Sequence, residues 1–173
     1  MVGRLTIAVD MRVFLLSFLA LSVLTAAERP RLLGLKKIAV AVAADPLGDL
    51  DTQQLRASVE ARLREAGLRI DPKSRSKLNV AVGVSDIRAG DGQGLGYAYS
   101  IHVSVSQPVY LANNTNVMTD AVTWEGLWLG IASRTDLGKA CAQSIDRRLT
   151  DFVAVYRAGL EEEEPAARAS ARR

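Results

Sequence analysis

The sequence predicts a single α+β domain, in which two helices cover one face of a mixed, mostly antiparallel sheet of four to five strands. Two segments repeat apolar residues at helical spacing, and several others alternate apolar and polar residues as strands do. The resulting element order is β-α-β-β-β-α. With 49% apolar residues, the 173-residue chain is not an intrinsically disordered one.

The first two elements are indicated by an apolar run and by capping residues. The segment 37–44 (KIAVAVAA) is short, apolar and rich in β-branched residues, which predicts a buried strand. A helix is predicted over 52–66, with Asp51 as its N-cap and Gln54 as the capping-box partner. Its apolar stripe repeats every four residues. The members of the stripe are Leu55, Val59 and Leu63.

Two further strands follow from strict alternation. In 78–85 the residues Leu, Val, Val and Val share one face, and small or polar residues share the other. In 97–107 two tyrosines, an isoleucine and two valines oppose alanine, serines and the single histidine. Pro108 marks a strand edge or a bend. Residues 113–116 (NNTN) predict a turn, and 117–124 predict the antiparallel partner.

The last helix is predicted from a capping box over 133–136 (SRTD) and a long apolar stripe. The four glutamates at 161–164 oppose the helix dipole, so we expect a disordered, charged tail over 161–173. The domain itself is assigned to 28–160. The stripe consists of Leu137, Cys141, Ile145, Leu149, Phe152, Tyr156 and Leu160.

The amino-terminal segment is typical of a secretory signal peptide. A short basic n-region, Met11-Arg12, precedes a mainly apolar run of twelve residues, 13–24, and small residues lead to Ala27. We predict a signal peptide over 1–27, cleaved near Ala27, and an exported protein in the periplasm or outside the cell. Translation starts at Met1 or Met11. An uncleaved anchor is the alternative, although a spanning helix needs about 20 apolar residues.

Composition excludes several kinds of site. One cysteine forms no internal disulfide or multi-cysteine zinc site, and one histidine supplies no histidine-rich metal centre. A net charge of +3 is too small to indicate nucleic acid. The glycine run over 90–96 leads into a strand, whereas phosphate loops open a helix. We therefore predict no metal, no cofactor and no nucleic-acid partner.

Two residue types could carry nucleophilic or acid–base chemistry. His102 is the single imidazole, and it lies between Ser100 and Ser104 on one predicted strand. No Gly-x-Ser-x-Gly motif is present, and side chains two residues apart on a strand point in parallel directions. Cys141 lies on the apolar stripe of the last helix, which predicts a buried, inert thiol.

The segment 124–132 (WEGLWLGIA) is apolar on both faces if it is extended. Trp124 and Trp128 then share one face, and two leucines and an isoleucine share the other. Such a segment is either deeply buried or forms an interaction surface, and the sequence leaves both interpretations open. It also leaves open whether 124–132 is a strand or a loop. The candidate binding residues are Trp124, Trp128, His102, Tyr97 and Tyr99.

The order of elements, together with the export signal, resembles small bacterial envelope proteins. The layout over about 37–160 is similar to the family of the lipopolysaccharide-assembly lipoprotein that plugs the outer-membrane translocon. It also resembles the amino-terminal domain of the Tol-system periplasmic protein. The stretch 97–107, the Thr123-Trp124 pair and the long last helix resemble uncharacterised exported proteins of environmental bacteria. The lipoprotein family has a cysteine at its mature start, where this chain has Glu28.

These observations predict an exported, non-enzymatic envelope protein that acts as a binding or assembly module. The resemblance implies a partner that is an envelope protein or another envelope component. The alternatives are a small secreted hydrolase that uses His102 and a membrane-anchored accessory subunit of an envelope complex. The oligomeric state is not indicated.

Overall fold

Five strands form one mixed sheet in the computed structural model, which describes Leu32 and residues 34–170. The sheet order is β2-β1-β3-β4-β5. Strand β1 runs parallel to β2 and β3, and the remaining pairs are antiparallel. The predicted α+β class is confirmed, and the β-α-β-β-β-α layout is present with one added two-residue strand after the first helix. The elements are β1 (Lys37–Ala44), a 3-10 turn (Pro46–Gly48), α1 (Thr52–Glu65), β2 (Arg69–Ile70), β3 (Lys77–Arg88), β4 (Gly94–Leu111), β5 (Asn114–Ala132) and α2 (Leu137–Ser170).

Helix α1 begins where its capping signal predicts. The Asp51 carboxylate accepts the backbone N–H groups of Gln53 and Gln54, at 3.0 and 2.9 Å. These bonds satisfy two of the donors that a helix start leaves unpaired. The helix ends at Glu65, one residue before its predicted end, and Gly67 follows with a φ of 90°. A left-handed residue at this point is the usual way for a helix to stop.

Helix α2 differs from its prediction at both ends. It begins at Leu137 because residues 133–136 close a separate turn, in which the Asp136 N–H donates to the Ser133 hydroxyl at 3.2 Å. It continues to Ser170, so the helical end expected at 160, with an irregular tail beyond it, is wrong. Glutamate, alanine and arginine have high helix propensity, and unfavourable dipole interactions cost only about 0.3–1 kcal/mol each.

The β4–β5 hairpin is longer than predicted. Its turn is Ala112-Asn113, since Asn114 already pairs with Leu111, and the predicted turn over 113–116 is displaced by about two residues. Pro108 lies inside β4, where β3 no longer runs alongside because it begins opposite Ser106. Proline is tolerated there because β4 is an edge strand at this point.

The ambiguous segment 124–132 is the second half of β5. A bulge between Val105 and Ser106 leaves Thr123 out of register, and its hydroxyl donates to the Val105 carbonyl and the Gln107 side chain, at 3.3 and 2.8 Å. Beyond the bulge, β5 pairs with β4 without a register shift as far as Ala132. In the strand order β5 is the last strand, so it forms one edge of the sheet.

Both helices pack on the same face of the sheet. Phe152 of α2 is fully buried, meets the Trp124 ring edge to face at a centroid distance of 5.3 Å, and stacks on Tyr156 at 6.3 Å. The Tyr99 hydroxyl is within hydrogen-bond distance of the Ser144 hydroxyl, at 3.1 Å. The strands contribute Ile38, Val40, Leu78, Val80, Val82, Ile101, Val103 and Val105 to this core. Among the described residues, no helix is both long and apolar enough to cross a membrane.

The predicted signal peptide over 1–27 lies outside the described residues.

Candidate functional site

The sheet face opposite the helices is the surface on which a site can be built. We call it the outer face. Alternation along each strand and the registers of β3, β4 and β5 place Gly83, Ser100 and Leu129 in one row across it. The row beside it holds Ala81, His102 and Leu127. On the outer face, the side chains of β5 therefore project further from the sheet than most of those of β3 and β4.

The projecting part is a line of three large apolar side chains, Leu127, Leu129 and Ile131, which we call the β5 ridge. Their exposed fractions are 60%, 70% and 77%. The opposite face of the same segment carries the tryptophans, which lie towards the helices. Alternation in β5 thus assigns one apolar row to the core and leaves the other in solvent.

A groove of about 710 Å³ lies beside the ridge. Leu129 and Ile131 form its apolar side, and Asp45 stands at its rim. Its floor is shallow because Gly83 has no side chain; a Cβ there would lie 2.7 Å from the Ser100 hydroxyl. The groove therefore offers apolar surface together with the hydroxyls of Ser85 and Ser100.

His102 lies on the outer face with its ring exposed. Its Nε2 is 3.4 Å from an oxygen of Glu125 on the neighbouring strand. The imidazole is therefore oriented towards a carboxylate. Ser100 and Ser104 lie on the same strand at two-residue spacing, so their hydroxyls project alongside the ring and not towards it. A serine nucleophile activated by histidine needs direct contact between the two groups.

The other predicted binding residues lie on the helix-covered face. Tyr99 and Trp124 are each only 8% exposed and belong to the core. Tyr97 and Trp128 are half-buried. The guanidinium of Arg134 lies over the Tyr97 ring at 5.2 Å, and those of Arg147 and Arg148 lie over Trp128 at 5.8 and 5.4 Å. Of the five residues, only His102 faces outward with the ridge.

The candidate binding residues predicted on β5 are the two tryptophans, and they include neither the β5 ridge nor the floor of the groove. The signal that identifies the ridge is the alternation of 124–132, which opposes Leu127, Leu129 and Ile131 to the tryptophans. Alternation in 97–107 places Ser100 on a small, polar face that is expected to meet water or a partner, but no local signal joins Ser100 to Gly83. Their importance follows from the register of β3 with β4, which joins residues distant in the chain.

The thiol of Cys141 is fully buried in α2, as predicted, and burial raises its pKa to about 11. Desolvation disfavours the thiolate, which is the nucleophilic form.

We expect no reaction of Cys141 with a thiol reagent at pH 8 until the protein unfolds. Because the pKa in the folded protein exceeds the thiol's ordinary value of about 9.0, we also expect the free energy of unfolding to fall between about pH 9 and 11. The first expectation is tested by labelling of the thiol with and without urea, and rapid labelling of the folded protein would contradict it. The second is tested by measuring the urea midpoint of unfolding across this pH range.

The described residues hold no cluster of three or more histidine, cysteine, aspartate or glutamate side chains that could bind a metal ion.

Comparison with known proteins finds no matching family model and no matching curated protein. Several solved structures are similar. A PelC variant dodecamer from Paraburkholderia phytofirmans is 19% identical, with a TM-score of 0.43, over 70% of this chain and 91% of that one. The rare lipoprotein B from Shewanella oneidensis is 14% identical, with a TM-score of 0.35, over 71% and 98%.

Proposed function

We propose that this chain is an exported, non-enzymatic module of the cell envelope that binds a partner through its outer face. The observation that carries the proposal is the β5 ridge, with its three large apolar side chains 60–77% exposed beside a shallow groove. Contiguous apolar surface on a soluble protein commonly marks an interaction site. Full burial of each such side chain is worth roughly 1.5–3 kcal/mol, so covering the ridge would contribute substantially to the free energy of binding a partner.

The chemistry of the outer face selects the kind of partner. Around the groove the side chains are apolar or carry hydroxyls, and the charged group at its rim is the carboxylate of Asp45. A polyanion would find no cationic cluster among the lining residues. The surface fits a neutral, largely apolar surface of an envelope protein or another envelope component.

Export is the second part of the proposal, and it is supported by the signal-peptide pattern of residues 11–28. Fractionation of cells that express the full chain, with intact mass of the recovered protein, tests this part. A species that begins at or near Glu28 is expected. An unprocessed membrane species would instead make 13–24 an anchor, and an unprocessed cytosolic species would contradict export.

The partner-binding part is tested by photo-crosslinking in the cells that encode the protein. A photoreactive residue is placed at Leu129 on the ridge or, as a matched control, at Ala57 on the exposed side of α1. We expect a discrete crosslinked product with an envelope component from position 129 and none from position 57. Equal products from both positions, or none from position 129, would contradict the assignment of the outer face.

The non-enzymatic part is tested with ester, phosphate and peptide substrates. We expect no turnover above background for the unmodified protein. Turnover that disappears in His102→Ala would overturn this part and establish the hydrolase.

A further inference from the structure

The free edge of β5 lacks the features that usually protect a sheet edge. Strand β5 has β4 as its neighbour on one side and no strand on the other among the described residues. Natural proteins protect such an edge with charged residues, prolines, bulges or a very short strand. The stretch 126–132 (GLWLGIA) has no charge and no proline, and its register with β4 is regular. This edge is therefore competent to pair with another strand.

The sequence of this edge is also the same in both directions. Residues 126–130 read Gly-Leu-Trp-Leu-Gly, a palindrome centred on Trp128. In any two-fold contact residue i meets residue j while j meets i, so a palindromic edge sets residues of the same type opposite each other. Antiparallel pairing of two such edges about Trp128 opposes Leu127 to Leu129 of the partner subunit and Gly126 to Gly130 of the partner subunit. A second copy of the chain is thus complementary to this edge.

We propose that two copies of the chain pair antiparallel through their β5 edges, with the two-fold axis at Trp128. The two five-stranded sheets then form one continuous ten-stranded sheet. Because the axis is perpendicular to the sheet, both outer faces lie on the same side and both grooves stay open. This inference does not rest on the proposed envelope role, but it uses Leu127 and Leu129 of the same β5 ridge.

Side-chain packing favours this register on the outer face. On the outer face the exposed leucines at 127 and 129 form one four-leucine cluster across the axis, and directly opposed side chains on a sheet contact each other. On the other face the two Trp128 rings become neighbours. Tyr99 covers Gly130, Arg148 and Trp124 lie against Gly126, and the guanidiniums of Arg147 and Arg148 lie over each Trp128 ring.

Charge on the edge strand itself does not oppose this register, although the guanidiniums of Arg147 and Arg148, which lie over Trp128, approach the axis from both copies. The nearest charged residue of the edge is Glu125, which would lie opposite Ile131 of the partner subunit. The two Glu125 carboxylates are then at opposite ends of the paired segment, six residues apart along the strand. At about 3.3 Å per residue, their separation is roughly 20 Å, which is well beyond the Debye length of about 8 Å at physiological ionic strength.

The mass of the protein in solution tests the proposal. Protein recovered from cells that express the full chain is measured by light scattering after size exclusion, as the unmodified protein and as Leu129→Lys and Leu47→Lys. Leu129 and Leu47 are both exposed, at 70% and 48%, but Leu47 lies in the 3-10 turn after β1. We expect two copies for the unmodified protein and Leu47→Lys, and one copy for Leu129→Lys. A far-UV circular dichroism spectrum like that of the unmodified protein, with a cooperative thermal transition, would show that Leu129→Lys is folded; its midpoint is expected to be lower because association stabilises the folded state.

The register is tested by disulfide formation. Directly opposed residues in an antiparallel pair have Cα atoms about 4.5–5.5 Å apart, within disulfide range. Leu127→Cys and Leu129→Cys proteins are mixed and oxidised, and we expect the mixed dimer to exceed either self-crosslinked product severalfold. The buried Cys141 is common to both proteins and serves as the background.

Three results would overturn the proposal. One is a single-copy mass for the unmodified protein at micromolar concentration. Another is a dimer, or an assembly of any other size, that persists in Leu129→Lys. The last is the absence of the mixed disulfide. Crosslinking of position 129 to a different protein, combined with a single-copy mass, would identify β5 as an edge for a foreign strand and would leave the proposed envelope function standing.

Discussion

Replacement of Phe152 with alanine is expected to lower the free energy of unfolding by about 3–5 kcal/mol. The side chain is fully buried and lies between the Trp124 ring of β5 and the Tyr156 ring of α2. Its removal takes away both ring contacts and leaves a cavity at the point where α2 meets the sheet. Domains are typically stable by only about 5–15 kcal/mol, so this single change removes a large share.

Urea unfolding followed by circular dichroism measures this loss. With a slope of about 2 kcal/mol per molar urea, the midpoint is expected to fall by roughly 2 M. Leu160→Ala is the matched control, because it shortens a 41% exposed side chain on the same helix. Its effect should be within about 0.5 kcal/mol. A Phe152→Ala midpoint as high as that of the control would mean that α2 is not held on the sheet through this residue.

The second large effect is expected from Gly130→Ala, at about 1–3 kcal/mol of destabilisation. A Cβ at this position would lie 2.5 Å from the Tyr99 ring, which crosses the glycine on the core face of the sheet. The ring would have to move away from Ser144, with which it shares a buried hydrogen bond of 3.1 Å. The glycine is thus required by the aromatic side chain of the neighbouring strand.

A double-mutant cycle identifies the cause. In a Tyr99→Ala background the ring is absent, so Gly130→Ala should cost less, with a coupling of about 0.5–3 kcal/mol. Gly90→Ala is the control substitution, since a Cβ there meets nothing within 4 Å, and it should be nearly neutral. If Gly130→Ala costs the same with and without Tyr99, the steric explanation is wrong.

The extent of prediction from sequence differed between the elements. Asp51 as a cap, the stripe through Val59 and Leu63, and the alternation of β3 and β4 depend on residues a few positions apart, and all were predicted correctly. The end of α2 is predicted wrongly, because that prediction rests on the unfavourable interaction of four glutamates with the helix dipole, whereas their high helix propensity lets the helix continue. The hairpin turn was displaced because Asn114, a common turn residue, pairs as part of the strand.

The candidate site was predictable only in part. Alternation in 124–132 by itself separates the tryptophans from Leu127, Leu129 and Ile131, because successive strand residues point to opposite faces. The same alternation is silent about which face the helices cover. The packing of Phe152 against Trp124 decides that, and it joins residues 28 positions apart in the chain.

The sequence by itself determined the class of fold, the order of the helices and strands and the two-sided pattern of each strand, because all of these follow from local periodicity. Only the tertiary structure decided that β5 lies at the edge of the sheet, that its leucine row faces solvent and that Gly83 and Ser100 meet beneath that row in one groove. These features depend on strand order and register, which arise from contacts between distant segments. The outer face and its open edge are products of that arrangement.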